Sequence, residues 1–211
     1  MNISQSRQRG SKKIWLDAAY RMLIADGIEA VKVMALAKEL NLSRTGFYWF
    51  FTDLNELHIA LIDRWESQNT GNLVGRCTMD ASSIGEALFN VMDCWLDTSL
   101  FDARLDLAIR NWARIDPDLQ QCVADADAIR IAALAKMFSH HGYSAKQAEA
   151  RSLTVIYTQI GYVSMQIQEV RQERLARVQH YVEVFSGTVP FAQDVDRFLM
   201  RHALKNDADT G

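Results

Sequence analysis

Along most of the chain, apolar residues recur every three or four positions, the period of a helix with one face turned to a core. Ile84, Ala87, Leu88, Val91, Met92, Trp95 and Leu96 keep this register unbroken and predict a helix over residues 84–96. Residues 104–115 repeat it with Leu105, Ala108, Ile109 and Trp112. Asp116-Pro117 then stops that helix and opens the next, with Asp as cap and Pro at the first helical position. The new helix turns Leu119, Cys122, Val123, Ala126, Ile129, Ala133, Leu134, Met137 and Phe138 inward and ends at Gly142. Further helices are expected over residues 145–169, 174–185 and 190–204. Nearer the start, residues 11–26 offer Ile14, Leu16, Ala18, Ala19, Met22 and Leu23, and Gly27 ends them. Thr52-Asp53 with Glu56 is a capping box; its helix carries Leu57, Ala60, Leu61 and Trp65 toward a break at residues 71–83.

The most informative stretch is residues 31–51, VKVMALAKELNLSRTGFYWFF. Val33, Leu36, Ala37 and Leu40 form one helical face. Asn41 follows, a residue that tolerates the left-handed conformation in which helices stop. Ser43 can then cap a second helix, a contribution of about 1 kcal/mol. Phe47, Phe50 and Phe51 point to a core, leaving Arg44, Thr45, Tyr48 and Trp49 outside. Two short helices, a polar turn and such an outer face predict a helix-turn-helix.

With 211 residues, 49% hydrophobic content and two prolines, the chain is read as all-α, a small domain plus a larger one. The expected division is residues 1–52 for the DNA-binding part and 53–211 for the body, with residues 53–70 as a connecting helix. The net charge of −3 is uneven, +4 over residues 1–52 and −7 over the rest, which fits a nucleic-acid-binding end on a body that need not touch nucleic acid. The polar start, MNISQSRQRG, reads as disordered. With Arg7, Arg9, Lys12 and Lys13 it is either a solvated tail or an arm along DNA phosphates. The charged residues beyond 204 read as a disordered tail. Cys77, Cys94 and Cys122 lack metal-ligand spacing and fit a reducing, cytoplasmic setting as inert thiols, a redox role being the alternative. The longest uncharged run, residues 152–168, is 17 residues and too polar for a membrane span.

Residues 14–57, IWLDAAYRMLIADGIEAVKVMALAKELNLSRTGFYWFFTDLNEL, resemble the N-terminal domain of the TetR family of transcriptional repressors. The matching features are an Ala-Ala helix ending in Asp-Gly, then Leu36-Ala37, Leu42-Ser43, and Phe47-Tyr48 with Phe51. IRNWARIDPDL (residues 109–119), Gly142-Tyr143 and IGY (residues 160–162) resemble the C-terminal region of one subgroup. The resemblance implies a homodimeric regulator that binds a DNA operator and answers to a small-molecule effector. It also implies that Tyr48 gives its hydroxyl to phosphate and that the helix near residues 174–185 joins a dimer interface. Two positions depart from the family: Lys32 stands where Ser or Thr opens the second helix, and Leu54 where Lys or Arg often opens the fourth.

The candidate DNA contacts are therefore Arg9, Lys12, Lys32, Arg44, Thr45, Gly46, Tyr48 and Trp49. Arg44 and Thr45 lie on the first turn of the helix that enters the major groove, and Gly46, read as solvent-facing, would let a phosphate backbone approach. Candidate effector residues are Met92, Trp95, Arg110, Trp112, Met137, Phe138 and Tyr157, large groups on inward faces that serve equally as core. Arg110 needs an anionic partner, either Asp93, Asp97 or Asp106 or a ligand carboxylate. Residues 152–168 should be buried on every side, with Tyr157 and Gln159 toward a pocket and Ile160, Gly161, Ser164 and Gln168 toward a second subunit, joined there by Tyr181. His140-His141 complement a helix end in preference to binding metal. No cofactor, metal or catalytic constellation is expected. The rival readings are a small all-α enzyme using its cavity and a ligand-binding module without DNA recognition.

Overall fold

The computed structural model describes residues 10–208, with side chains as far as residue 203. Arg7 and Arg9 lie outside the described residues, and the tail expected to be disordered beyond residue 204 instead continues as helix to Ala208. The described residues are all helical in their regular structure: α1 (Lys12–Asp26), α2 (Val33–Glu39), α3 (Arg44–Phe47), α4 (Leu54–Trp65), α5 (Asn72–Cys77), α6 (Ile84–Leu96), α7 (Ala103–Ala113), α8 (Pro117–His140), α9 (Ala145–Ser164), α10 (Arg171–Ser186) and α11 (Ala192–Ala208). Contacts sort them into two compact units, which differ from a simple cut at residue 52. The first joins the chain up to Gln68 to Asp102–Val123; the second holds Asn69–Phe101 and the chain from Ala124 on.

In the first unit, Ser11 starts α1 by accepting the Ile14 N–H at 3.3 Å, and Gly27 at φ 81 ends it. The buried stripe is Trp15, Ala18, Ala19 and Leu23; Ile14, expected inward, is 45% exposed. One residue is 100° of helical rotation, so once Trp15 takes the core position Ile14 must swing out. Trp15 meets Phe47 edge-on at 5.5 Å and Phe47 stacks on Phe51 at 5.3 Å. Full burial of each phenylalanine is worth about 1.5–3 kcal/mol. The capping box holds: Asp53 Oδ1 accepts the Glu56 N–H at 2.9 Å and Glu56 Oε2 the Thr52 N–H at 2.7 Å.

α7 belongs to this unit through its acids. Asp102 caps α7 by accepting the Arg104 and Leu105 N–H groups and also accepts the Tyr20 hydroxyl. Burial and this carboxylate push the Tyr20 phenol up to about 12, so it stays a donor. Buried Asp106 takes the Trp65 indole N–H and the Arg110 Nε–H, both at 2.8 Å.

The expected break at residues 71–83 is shorter. A π-helical turn over Glu66–Gly71 tucks Asn69 and Thr70 inside, and helix resumes as α5 because Gly71 keeps helical angles and Leu73 and Cys77 share a buried face. In the second unit α6 is central, with every residue from Gly85 to Cys94 except Glu86 buried. Phe89 stacks on Phe198 of α11 at 4.8 Å. Buried Asp93 gathers Arg76 Nη1 at 2.8 Å, Arg201 Nη2 at 3.1 Å and His202 Nε2 at 2.8 Å. Arg171 Nη2 in turn meets His202 Nδ1 at 3.2 Å. Buried Arg130 reaches Thr70 Oγ1 at 2.9 Å and Asp127 at 3.2 Å. Ile129, assigned to the core face, is 53% exposed instead. Burial pushes the Cys77 and Cys94 thiols up to about 12, so both remain protonated at neutral pH.

Candidate nucleic-acid interface

The turn between α2 and α3 is built as its residues dictate. Asn41 sits at φ 52, and Ser43 Oγ accepts the Gly46 N–H at 3.2 Å. Lys32 precedes α2 without a side-chain cap bond, leaving its amine exposed at a helix start whose free N–H groups already favour an anion. Arg21 reaches Glu39 at 2.8 Å and ties α1 to α2. On the outer face Arg44, Thr45, Tyr48 and Trp49 are exposed, Trp49 at 60%. Arg44 Nη2 approaches the Tyr48 hydroxyl at 3.3 Å, one helical turn on, so the two point the same way. Regular helix ends at Phe47, and Tyr48 to Phe50 continue as a turn.

One expectation is corrected here, and one candidate cation finds a partner. Gly46 is buried, not solvent-facing. Its N–H is consumed by the Ser43 cap, so the solvent-facing glycine on which a close phosphate approach rested is not there. Lys12 is not a free cation: it pairs with Glu56 at 3.3 Å and lies 5.0 Å over the Phe51 ring. Arg9 lies outside the described residues.

The effector candidates do not converge. Met92 and Trp95 line an apolar crevice of about 50 Å³ with Gln159, Tyr162 and Phe185. Met137 lines a separate cleft in the same unit. Phe138 is fully buried against Tyr143 at 5.4 Å. Arg110 has its partner in Asp106, and Trp112 packs its ring 5.1 Å from His58, both within the first unit. Tyr157 is 62% exposed, so it faces away from the core. Residues 152–168 are buried on one face alone, at Ser152, Val155, Ile156, Gln159 and Val163, while α9 stops at Ser164. Gln168 therefore lies in the loop beyond the helix, whereas Ile160 and Gly161 are half-buried and Ser164 and Tyr181 exposed. Gln159, expected toward a pocket, does line the crevice, and it does so with Val155, Thr158 and Tyr162, a helical face that Tyr157 does not share.

His58 was also missed. Its imidazole is held below its ordinary range first by burial, against a hydrogen bond with the Val31 backbone that raises it. Among the described residues no group of three or more His, Cys, Asp or Glu could hold a metal ion, and no helix is long and apolar enough to cross a membrane.

Residues 16–61 match the family model described as bacterial regulatory proteins, tetR family. No curated protein matches the chain. Among solved structures, one of a tetR-family transcriptional regulator from Rhodococcus sp. is 13% identical with a TM-score of 0.61, covering 83% of this chain and 98% of that one. A transcriptional regulator from Rhodococcus sp. Rha1 is 17% identical at 0.58, covering 85% and 96%. A transcriptional regulator from Streptomyces coelicolor A3(2) is 15% identical at 0.55, covering 84% and 98%. At these identities the likeness is one of fold, and it extends beyond the helix-turn-helix into the helical body. Over residues 16–61 the chain thus carries the pattern of the tetR family of bacterial regulatory proteins, on a fold shared with solved transcriptional regulators.

Proposed function

We propose that this protein is a homodimeric, ligand-responsive repressor that places one α3 of each subunit in the major groove of a palindromic operator. The observation that carries the reading is the outer face of α3. Arg44, Thr45, Tyr48 and Trp49 stand exposed together there, while Phe47 and Phe51 are fully committed to the core. Arg44 is suited to a bidentate guanine contact and the hydroxyls of Thr45 and Tyr48 to phosphate. Lys32 adds a cation at the start of α2.

Dimerisation is assigned to α9 and α10. Tyr157, Gly161, Ser164 and Met165 form an uncharged outer stripe on and just beyond α9, and Tyr181 and Val184 are exposed on α10. A small molecule bound in the helical body would alter the spacing of the two α3 helices. Because half-sites lie about one helical turn apart, a few ångströms would weaken both contacts together.

The test is a gel shift against the DNA flanking the protein's own gene, with and without Arg44→Ala. A shift lost on substitution while the protein remains dimeric supports the assignment. An unchanged footprint removes Arg44 from base readout. Absence of any shift, combined with turnover of a bound compound, would favour an enzyme.

A further inference from the structure

The second unit holds a cleft of about 780 Å³ between the last turns of α8 and the segment from α5 to the start of α6. Its size falls within the range of small-molecule sites, roughly 300–1,000 Å³. Val74, Cys77, Ala133 and Met137 supply apolar wall. Lys136, His140 and His141 line the α8 side, and Asp80 is the one acid among the lining residues. Lys136 and His140 are one helical turn apart and so share a face with Ala133 and Met137. Lys136 is exposed and has no hydrogen-bond or ion-pair partner among the described residues, whereas carboxylates engage Arg76, Arg130 and Arg201 of the same unit.

We propose that this cleft binds an organic anion with an apolar body, its head group at Lys136 and His140 and its body against Val74, Ala133 and Met137. Charge complementarity selects the class. Capping does not account for Lys136, since the carbonyl end of α8 carries only about half a negative charge and the lysine lies a turn back from it. A neutral apolar ligand would leave the lysine unused, and a cation would meet Lys136 across from the single carboxylate, Asp80. The titratable groups facing the cleft are Lys136, His140 and His141 from α8 and Cys77 and Asp80 from the opposite wall. Burial, then neighbouring His140, hold the His141 imidazole below its ordinary range. A bound carboxylate opposes both effects, so binding draws a proton onto the ring and tightens as pH falls. The binding itself stands apart from the DNA reading; its role as the effector site rests on that reading.

The experiment is calorimetric titration of the full chain with octanoate and 2-naphthoate, their amides, and octylamine, without DNA. At least one carboxylate should bind about tenfold or more tighter than its own amide, with octylamine not bound. Lys136→Gln, an exposed substitution, should weaken the carboxylate about tenfold and leave its amide unchanged, whereas Met137→Ala should weaken both. Circular dichroism checks that each variant is folded. Equal affinity for carboxylate and amide, preference for the amine, no binding by any probe, or an indifferent Lys136→Gln variant would each overturn the site. Adding operator DNA then separates the two readings: a carboxylate that binds without altering a working gel shift keeps the site and removes its effector role.

Discussion

The outer faces of α3 and α9 both display large exposed residues, Trp49 at 60% on one and Tyr157 at 62% on the other. What surrounds them differs. Around α3 stand Arg44, Thr45, Tyr48 and, at the start of α2, Lys32; residues 152–168 contain no charge at all. Exposed area alone therefore does not identify a partner. A cation at the start of each of two short helices, with hydroxyls beside one of them, suits a polyanion, whereas an uncharged stripe with a glycine suits another copy of itself, where no like charge has to be buried.

Salt is the sharpest way to test that contrast. Between about 50 and about 200 mM salt, operator affinity measured by filter binding should fall by roughly 10³-fold or more, while self-association followed by sedimentation should not weaken. A flat operator response would break the comparison at α3. Next in size, Tyr157→Glu combined with Met165→Glu should loosen the dimer by roughly 100-fold or more. Operator affinity should fall with it, because each subunit alone holds only one half-site. A variant that remains dimeric would move the interface elsewhere. Arg44→Ala is expected to be smaller and confined to α3, costing about 1–3 kcal/mol of sequence discrimination with the dimer and non-specific binding little changed.

The smallest effect concerns pH. The His58 imidazole is lowered in the folded chain, so the unfolded chain takes up a proton first as pH drops below the ordinary histidine value. Its stabilising contribution is thus present above that value and lost as pH falls through the folded one. Thermal unfolding of His58→Gln should show a flatter dependence on pH across this window than the parent protein. Because His58 belongs to the first unit, self-association through α9 should be insensitive to the substitution.

The amino-terminal helices were legible because each depends on local chemistry: Asn41 at a stop, Ser43 and Asp53 as caps, Phe47 and Phe51 in register. Trp15 was not, since Ile14 satisfies the same hydrophobic period and only packing against Phe47 decides between them. Gly46 misled because a glycine, having no side chain, gives no sign in sequence of whether its side of the helix is covered. In the body, helix existence was readable and helix facing was not. Tyr157 and Val155 lie two positions apart on α9, and period alone cannot say which turns inward when nearly every neighbour is uncharged. The grouping of α7 with the first unit rests on Asp102 and Asp106 finding Tyr20 and Trp65, contacts spanning many tens of residues that no local pattern encodes.

The ring of His202 carries one further implication. An arginine can only donate, so its approach to Nδ1 obliges that nitrogen to accept and leaves the hydrogen on Nε2, directed at Asp93. The imidazole thus acts as a two-ended adaptor, receiving at one nitrogen and giving at the other. Few side chains can imitate this. Glutamine has both an oxygen and an amide at comparable reach, whereas leucine of similar bulk has neither and would take an acceptor from Arg171 and a donor from Asp93 at once. At this position of α11, polarity of the correct sense counts for more than shape.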